Sequence, residues 1–186
     1  MSEQAQAGNV GAARAADPSV PDRLVGFGPG EGLPLAMGPF LRGRAEWTAG
    51  AYCITDQVIP PRFFAPIHRH AHESQVVLVV SGRVGFYVEG SDEIELPGGS
   101  YAYRPAGLMH ALWNPTDEPA HVIELTSPGA GFQAYMLAVS ELMATGRGSR
   151  EAVQARAREA GIEFSDAQQD ELCARHGVSP SAAFWR

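Results

Sequence analysis

Between about Gly38 and Ser127 the chain alternates short runs of β-branched and aromatic residues with turn residues. The runs are AYCITDQVI (51–59), SQVVLVVS (74–81), RVGFYVEG (83–90), DEIEL (92–96), SYAYR (100–104), HALWN (110–114) and HVIELTS (121–127). Gly, Pro, Asp and Asn clusters separate them, at 81–82, 89–92, 97–99, 105–107 and 114–119. Short strands at regular spacing with this punctuation predict an all-β sandwich or barrel. After Pro128 the period changes to that of helices. GFQAYMLAVSELMAT (131–145), SREAVQARAREAG (149–161) and SDAQQDELCARHG (165–177) predict three of them. Ser165 with Gln168 reads as a capping box, and Gly161 and Gly177 as the glycines just past helix ends. Residues 1–33, rich in Gly, Ala and Pro, read as a flexible extension. The domain plan is therefore an extension over 1–33, a barrel over 34–128 and a helical extension over 129–186 packing on the barrel.

Composition narrows the class. The 186 residues, 45% hydrophobic and 19% charged, suit one globular domain with extensions. The net charge is -7 and every basic residue is Arg. The close set Arg147, Arg150, Arg156 and Arg158 is interleaved with acids and reads as a solvated helix surface. Neither feature gives the basic face that nucleic acid requires. No apolar stretch approaches a membrane span, and the first twenty residues lack the pattern of a signal peptide. Cys53 and Cys173 stand far apart and read as small buried hydrophobes, in keeping with a reducing cytoplasm.

Four of the six histidines carry the candidate chemistry. His68 and His70 share one side of an extended chain, because side chains alternate. A third imidazole from a neighbouring strand, His110, would complete a facial site for a divalent metal. His121 and His176 read as ordinary satisfied residues. Around the triad, GSYAYRPAGLMHALWN places Gly99, Pro105, Gly107, His110 and Asn114 in the pattern G-x5-P-x-G-x2-H-x3-N. PRFFAPIHRHAHESQVVLVVSG places His68, His70 and Gly82 in the pattern G-x5-H-x-H-x3,4-E-x6-G, with Arg62 where the first Gly stands and Gln75 where the Glu stands.

These motifs resemble those of the cupin superfamily. Within it, SPGAGFQAYMLAVSELM (127–143) and CARHGV (173–178) are similar to single-cupin proteins of the quercetin dioxygenase (quercetinase) type. The resemblance covers about residues 38–178. It implies a double-stranded β-helix, or jelly-roll barrel, with C-terminal α-helices. It also implies one divalent transition metal per chain, held by His68, His70 and His110 with Gln75 in the place of the usual ligand Glu. An amide is a weaker, uncharged ligand that cannot take a proton at neutral pH. Glu73 and His72 are then the alternative bases. Glu73 by default is a solvated loop residue, and His72 joins the row only if its strand runs past His70. Parity instead requires a turn before Gln75.

Phe63, Phe64, Phe86, Tyr87, Tyr101, Tyr103, Met109, Leu112 and Trp113 supply apolar surface, about half of it facing inward. Phe132, Tyr135 and Met136 are placed to cap the barrel mouth, with Gln133 and Glu141 facing solvent. The resemblance implies a dioxygenase that uses Fe, Ni, Mn, Co or Cu and O₂ to cleave a C–C bond in a flavonol-like or polyketide-like molecule. Gln75 or Glu73 would then serve the substrate. A non-redox cyclase or isomerase using Zn, and a non-catalytic small-molecule-binding cupin, stay open. Related proteins are commonly homodimers, and the same is expected here.

Overall fold

The structure is a computed structural model that describes residues 20–180. Residues 1–19 of the expected flexible extension, and 181–186, lie outside the described residues. Thirteen strands and three α-helices follow. They are β1 (Leu33–Pro34), β2 (Phe40–Gly43), β3 (Cys53–Ile59), β4 (Phe63–Phe64), β5 (His68–His70), β6 (Ser74–Ser81), β7 (Arg83–Val88) and β8 (Ile94–Pro97). Next come β9 (Tyr101–Arg104), β10 (His110–Trp113), β11 (Ala120–Ser127), α1 (Ala130–Ala144), α2 (Arg150–Glu159), β12 (Ile162–Phe164), α3 (Gln169–His176) and β13 (Ser179–Pro180).

The strands form two sheets. The first runs β1-β2-β3-β11-β6-β9. In the second, β10 pairs with β4 and β5 along one side and with β7 along the other, and β7 continues to β8. Between the sheets, Val77 and Val79 of β6, Val84 and Phe86 of β7, and Val122 of β11 form part of a buried cluster at one end of the barrel. Alternation sends the opposite faces of these strands outward. Tyr101 and Tyr103 are accordingly exposed. Phe64 and Trp113 also leave the barrel interior, but α3 covers them with Leu172 and Cys173.

The C-terminal part is more than helices laid on a barrel. β12 pairs with β5, placing Ile162 opposite His70 and Phe164 opposite His68. β13 runs parallel to β4. Two helix details differ from the sequence expectation. α3 begins at Gln169, and Ser165 Oγ accepts from the Ala167 amide instead of capping a helix. Gln133 is buried, with its Oε1 accepting from the Ala45 amide and its Nε2 donating to Glu46, because α1 packs directly on the turn at 45–48. Gly161 and Gly177 do take positive φ at helix ends.

The motif residues have local physical reasons. Gly82 turns the β6–β7 hairpin at φ +80, and a Cβ there would lie 2.8 Å from the Ala120 Cα. Asn114 is fully buried, donating to the Ile59 and Glu118 carbonyls and accepting from Thr116, so it ties the 114–118 loop to β3. Arg62 stands at φ +53, a left-handed conformation that glycine adopts freely. A two-point ion pair with Asp117 and a hydrogen bond to the Pro115 carbonyl hold it there.

Gly85 faces Trp113 across the β7–β10 ladder, and a Cβ at 85 would fall 2.0 Å from the indole. Trp113 is fully buried between Phe64 and His176 and has no free direction in which to move. Gly85→Ala is expected to cost about 3 kcal/mol through overpacking. A fall in melting temperature of roughly 6–12 °C should report it, and an unchanged melting temperature would show that the indole relocates freely.

Candidate metal centre

The triad is assembled by strand register. β5 presents His68 and His70 on one side, and β10 brings His110 opposite His68. The Gly107 amide donates to the His70 carbonyl at 2.7 Å, so the turn that precedes β10 is anchored to β5. Gly107 makes that turn at φ +83. Ring centroids lie 4.5 Å apart for His68–His110, 5.1 Å for His68–His70 and 5.5 Å for His70–His110. One ligand nitrogen from each histidine can be chosen so that all three lie within 4.8 Å of one another. These form the only such group of three or more among the described residues.

The outer nitrogens fix which atom faces inward. His68 Nδ1 lies 2.8 Å from the Pro66 carbonyl and His110 Nδ1 lies 3.1 Å from the Leu108 carbonyl. A carbonyl only accepts, so Nδ1 carries the proton and Nε2 keeps its lone pair, the arrangement that orients metal-ligating histidines. The Nε2 atoms of His70 and His110 are buried without a partner, and so is His70 Nδ1. Three imidazoles that each offer a nitrogen within 4.8 Å of the others fit a divalent transition ion.

The surroundings keep those lone pairs available. Burial, with the nearby charge of His70, pushes the His68 imidazole down to about 3, and Arg104 adds to the effect. His110 is driven well below its ordinary range by burial, then by Arg104. The unfolded histidines titrate near 6.5. Below about pH 6.5 the unfolded chain therefore binds more protons than the folded one, and stability falls as pH falls. For His68 the loss continues to about pH 3. Between pH 6.5 and 5 each of the two should remove at most about 2 kcal/mol. Urea titration of EDTA-treated protein at both pH values, beside a His68→Gln/His110→Gln double variant with a flatter profile, checks this. Equal stability of the wild type at both values would refute it.

The chain turns after His70, as parity requires, and Gln75 enters the cavity from β6. Gln75 is 1% exposed. Its Nε2 donates to Glu124 at 2.8 Å and to Thr126 Oγ1 at 3.3 Å, while its Oε1 is buried with no partner. His72 is exposed and lies outside the site. Glu73, in contrast to the solvated loop residue expected, is 3% exposed. Its Oε2 lies 3.6 Å from His70 Nδ1, and its Oε1 packs so closely on Gly131 that a Cβ there would approach to 2.8 Å. Gly131 is in the first turn of α1, whose positive dipole end favours a buried carboxylate.

The cavity has a volume of about 90 Å³. Phe132, Tyr135 and Met136 of α1, which the resemblance implied as a cap, are among its lining residues. Phe63 and Leu112 contribute, but Ile162 and Phe164 from β12 were not anticipated. Two charged residues were also missed, Arg104 of β9 and Glu124 of β11. They are paired through Arg104 Nη2 and a Glu124 carboxylate oxygen.

Residues 55–126 match the family model described as a cupin domain. Over that segment the chain is similar to a cupin domain. Within it the first motif supplies His68 and His70, and the second supplies His110. Among curated proteins none matches this chain in sequence. Solved structures do. An uncharacterized conserved protein with a double-stranded β-helix domain from Klebsiella pneumoniae is 21% identical, over 44% of this chain and 70% of that one, with a TM-score of 0.41. The DMSP lyase DddQ from Ruegeria pomeroyi is 22% identical, over 42% of this chain and 39% of its own, with a TM-score of 0.39. A predicted oxalate decarboxylase from Thermotoga maritima is 14% identical, over 48% and 77%, with a TM-score of 0.43.

Proposed function

We propose that this chain is a metal-dependent enzyme, a dioxygenase that cleaves a C–C bond in a flavonol-like or polyketide-like enolisable molecule. The observation that supports it is the grouping of His68, His70 and His110, with one ligand nitrogen of each within 4.8 Å of the others, beside a cavity that His68 and His70 line. His68, His70 and His110 would hold an Fe, Ni, Mn, Co or Cu ion, which supplies affinity for an enolate and for O₂. Three neutral imidazoles leave the full charge of that ion to attract an anionic substrate oxygen. Gln75 Oε1, buried without a partner in the cavity wall, would serve as a neutral fourth ligand or as an acceptor for a substrate hydroxyl. Glu73 Oε2, 3.6 Å from His70 Nδ1 and buried without a hydrogen-bond partner, is a candidate to hold a proton from substrate. Phe132, Tyr135 and Met136 give the cavity part of its apolar wall.

A second reading is a non-redox cyclase or isomerase with zinc as Lewis acid. The Arg104–Glu124 pair favours it, since a polar, charged wall suits proton transfer more than a purely apolar pocket does. The deciding experiment is metal analysis of untagged protein with O₂ uptake on a flavonol and on a β-diketone. About one redox-active ion per chain with substrate-dependent O₂ uptake supports the dioxygenase. Stoichiometric zinc without O₂ uptake overturns it in favour of the second reading. A homodimer is also proposed, supported by the exposed Val58, Leu78, Val80, Tyr101 and Tyr103 on the first sheet. Sedimentation equilibrium tests it.

A further inference from the structure

The cavity contains a charged group that metal binding does not explain. Arg104 is 2% exposed, yet its guanidinium has one side-chain partner, Glu124, and its Nε is buried without any. A guanidinium carries five N–H donors in a planar fork shaped for a carboxylate. Such a group is expensive to bury with donors unused. Arg104 lies opposite Gln75 in the β6–β9 register. It lines the same cavity as His68 and His70, on the opposite sheet. Glu124 holds the guanidinium on one edge and is itself held by Gln75 Nε2, so the fork is oriented before any ligand enters. The remaining walls, with Phe63, Phe132 and Phe164, are apolar and aromatic.

We propose that Arg104 is a carboxylate-recognition residue, and that the substrate is a small carboxylic acid with an apolar or aromatic body. Its carboxylate meets Arg104, and its reacting oxygen faces His68, His70 and His110. This deepens the metal-enzyme reading and rests on it for the second contact only. Glu124 acts as a positioning residue, keeping the free edge of the guanidinium turned to the cavity.

The test is calorimetric titration with 3-phenylpropionate and 3-phenylpropanamide, which share one body and differ in charge. Both are titrated into EDTA-treated and into Co²⁺-loaded protein. The wild type should bind the carboxylate about tenfold or more tightly than the amide, since charge-assisted bonds to a preset fork are roughly twice as strong as neutral ones. Arg104→Gln/Glu124→Gln, which removes both buried charges and so leaves neither unpaired, should erase that preference. Arg104→Lys keeps the charge without the fork and should fall between. The absence of a preference in the wild type overturns the proposal, whatever the variants do. So does a preference that survives in the double variant, or one that needs Co²⁺ and ignores Arg104. An Arg104-dependent preference in EDTA-treated protein that never takes up Co²⁺ upholds the subsite and overturns the metal-enzyme reading.

Discussion

His110→Ala should leave a folded protein that no longer holds a divalent ion. The substitution removes one of three converging imidazoles, and two neutral nitrogens with a weak amide do not make a comparable site. Loss of an outer-shell partner alone weakens metal sites about 10–100-fold, so losing a ligand should cost at least about 100-fold in affinity. Stability without metal should change little. The Ala variant forfeits packing, but it also removes a desolvated Nε2 that has no partner. Equilibrium dialysis against Zn²⁺ or Co²⁺, with a parallel melting curve in EDTA, separates the two effects. Retained stoichiometric metal would mean that the triad is not the centre. Unfolding in EDTA would mean that the histidine is structural.

That site was legible because its geometry is written in local spacing. His68 and His70 share parity, and Pro105 and Gly107 mark the turn that delivers His110. The cap by Phe132, Tyr135 and Met136 was legible from the resemblance. Arg104 and Glu124 were not, because a charged residue in a strand is read as facing solvent, whereas here each shares a row with core residues. In HVIELTS, the rows Val122–Glu124–Thr126 and Ile123–Leu125 give no sign of which faces inward. Only the register that sets Thr126 beside Gln75, and Gln75 beside Arg104, places these charges in the cavity. Glu73 was misread for a related reason. A carboxylate in a turn defaults to solvent, and nothing local shows that the first turn of α1 will cover it. β12 was missed because three residues between two helices carry too little periodicity to stand out.

Gln75→Glu, which supplies the carboxylate of the motif this segment resembles, is expected to harm this protein unless metal is supplied. Gln75 Nε2 is the donor in a 2.8 Å bond to Glu124. A glutamate would put an oxygen there, facing another carboxylate oxygen in a buried site. At an effective dielectric constant of about 20, two unit charges at that distance repel by roughly 6 kcal/mol. The cost is capped by proton uptake. Protonating one carboxyl from its ordinary value near 4.3 costs about 4 kcal/mol at pH 7, and the proton then bridges the two oxygens. The variant should thus lose up to about 4 kcal/mol in EDTA at pH 7, less what the Arg104 guanidinium opposite position 75 offsets. A carboxyl raised in the folded state binds a proton that the unfolded state has released, so the deficit should shrink as pH falls toward 5. A divalent ion reverses the order, because a carboxylate is the stronger ligand, and Co²⁺ should raise the variant's melting temperature more than the wild type's. Urea titrations at pH 7 and 5, with and without Co²⁺, test all three points. A variant as stable as wild type in EDTA at pH 7 would show that Gln75 and Glu124 are independent. The expected pattern would show that they act as one unit, with Gln at 75 required by the acid on the neighbouring strand.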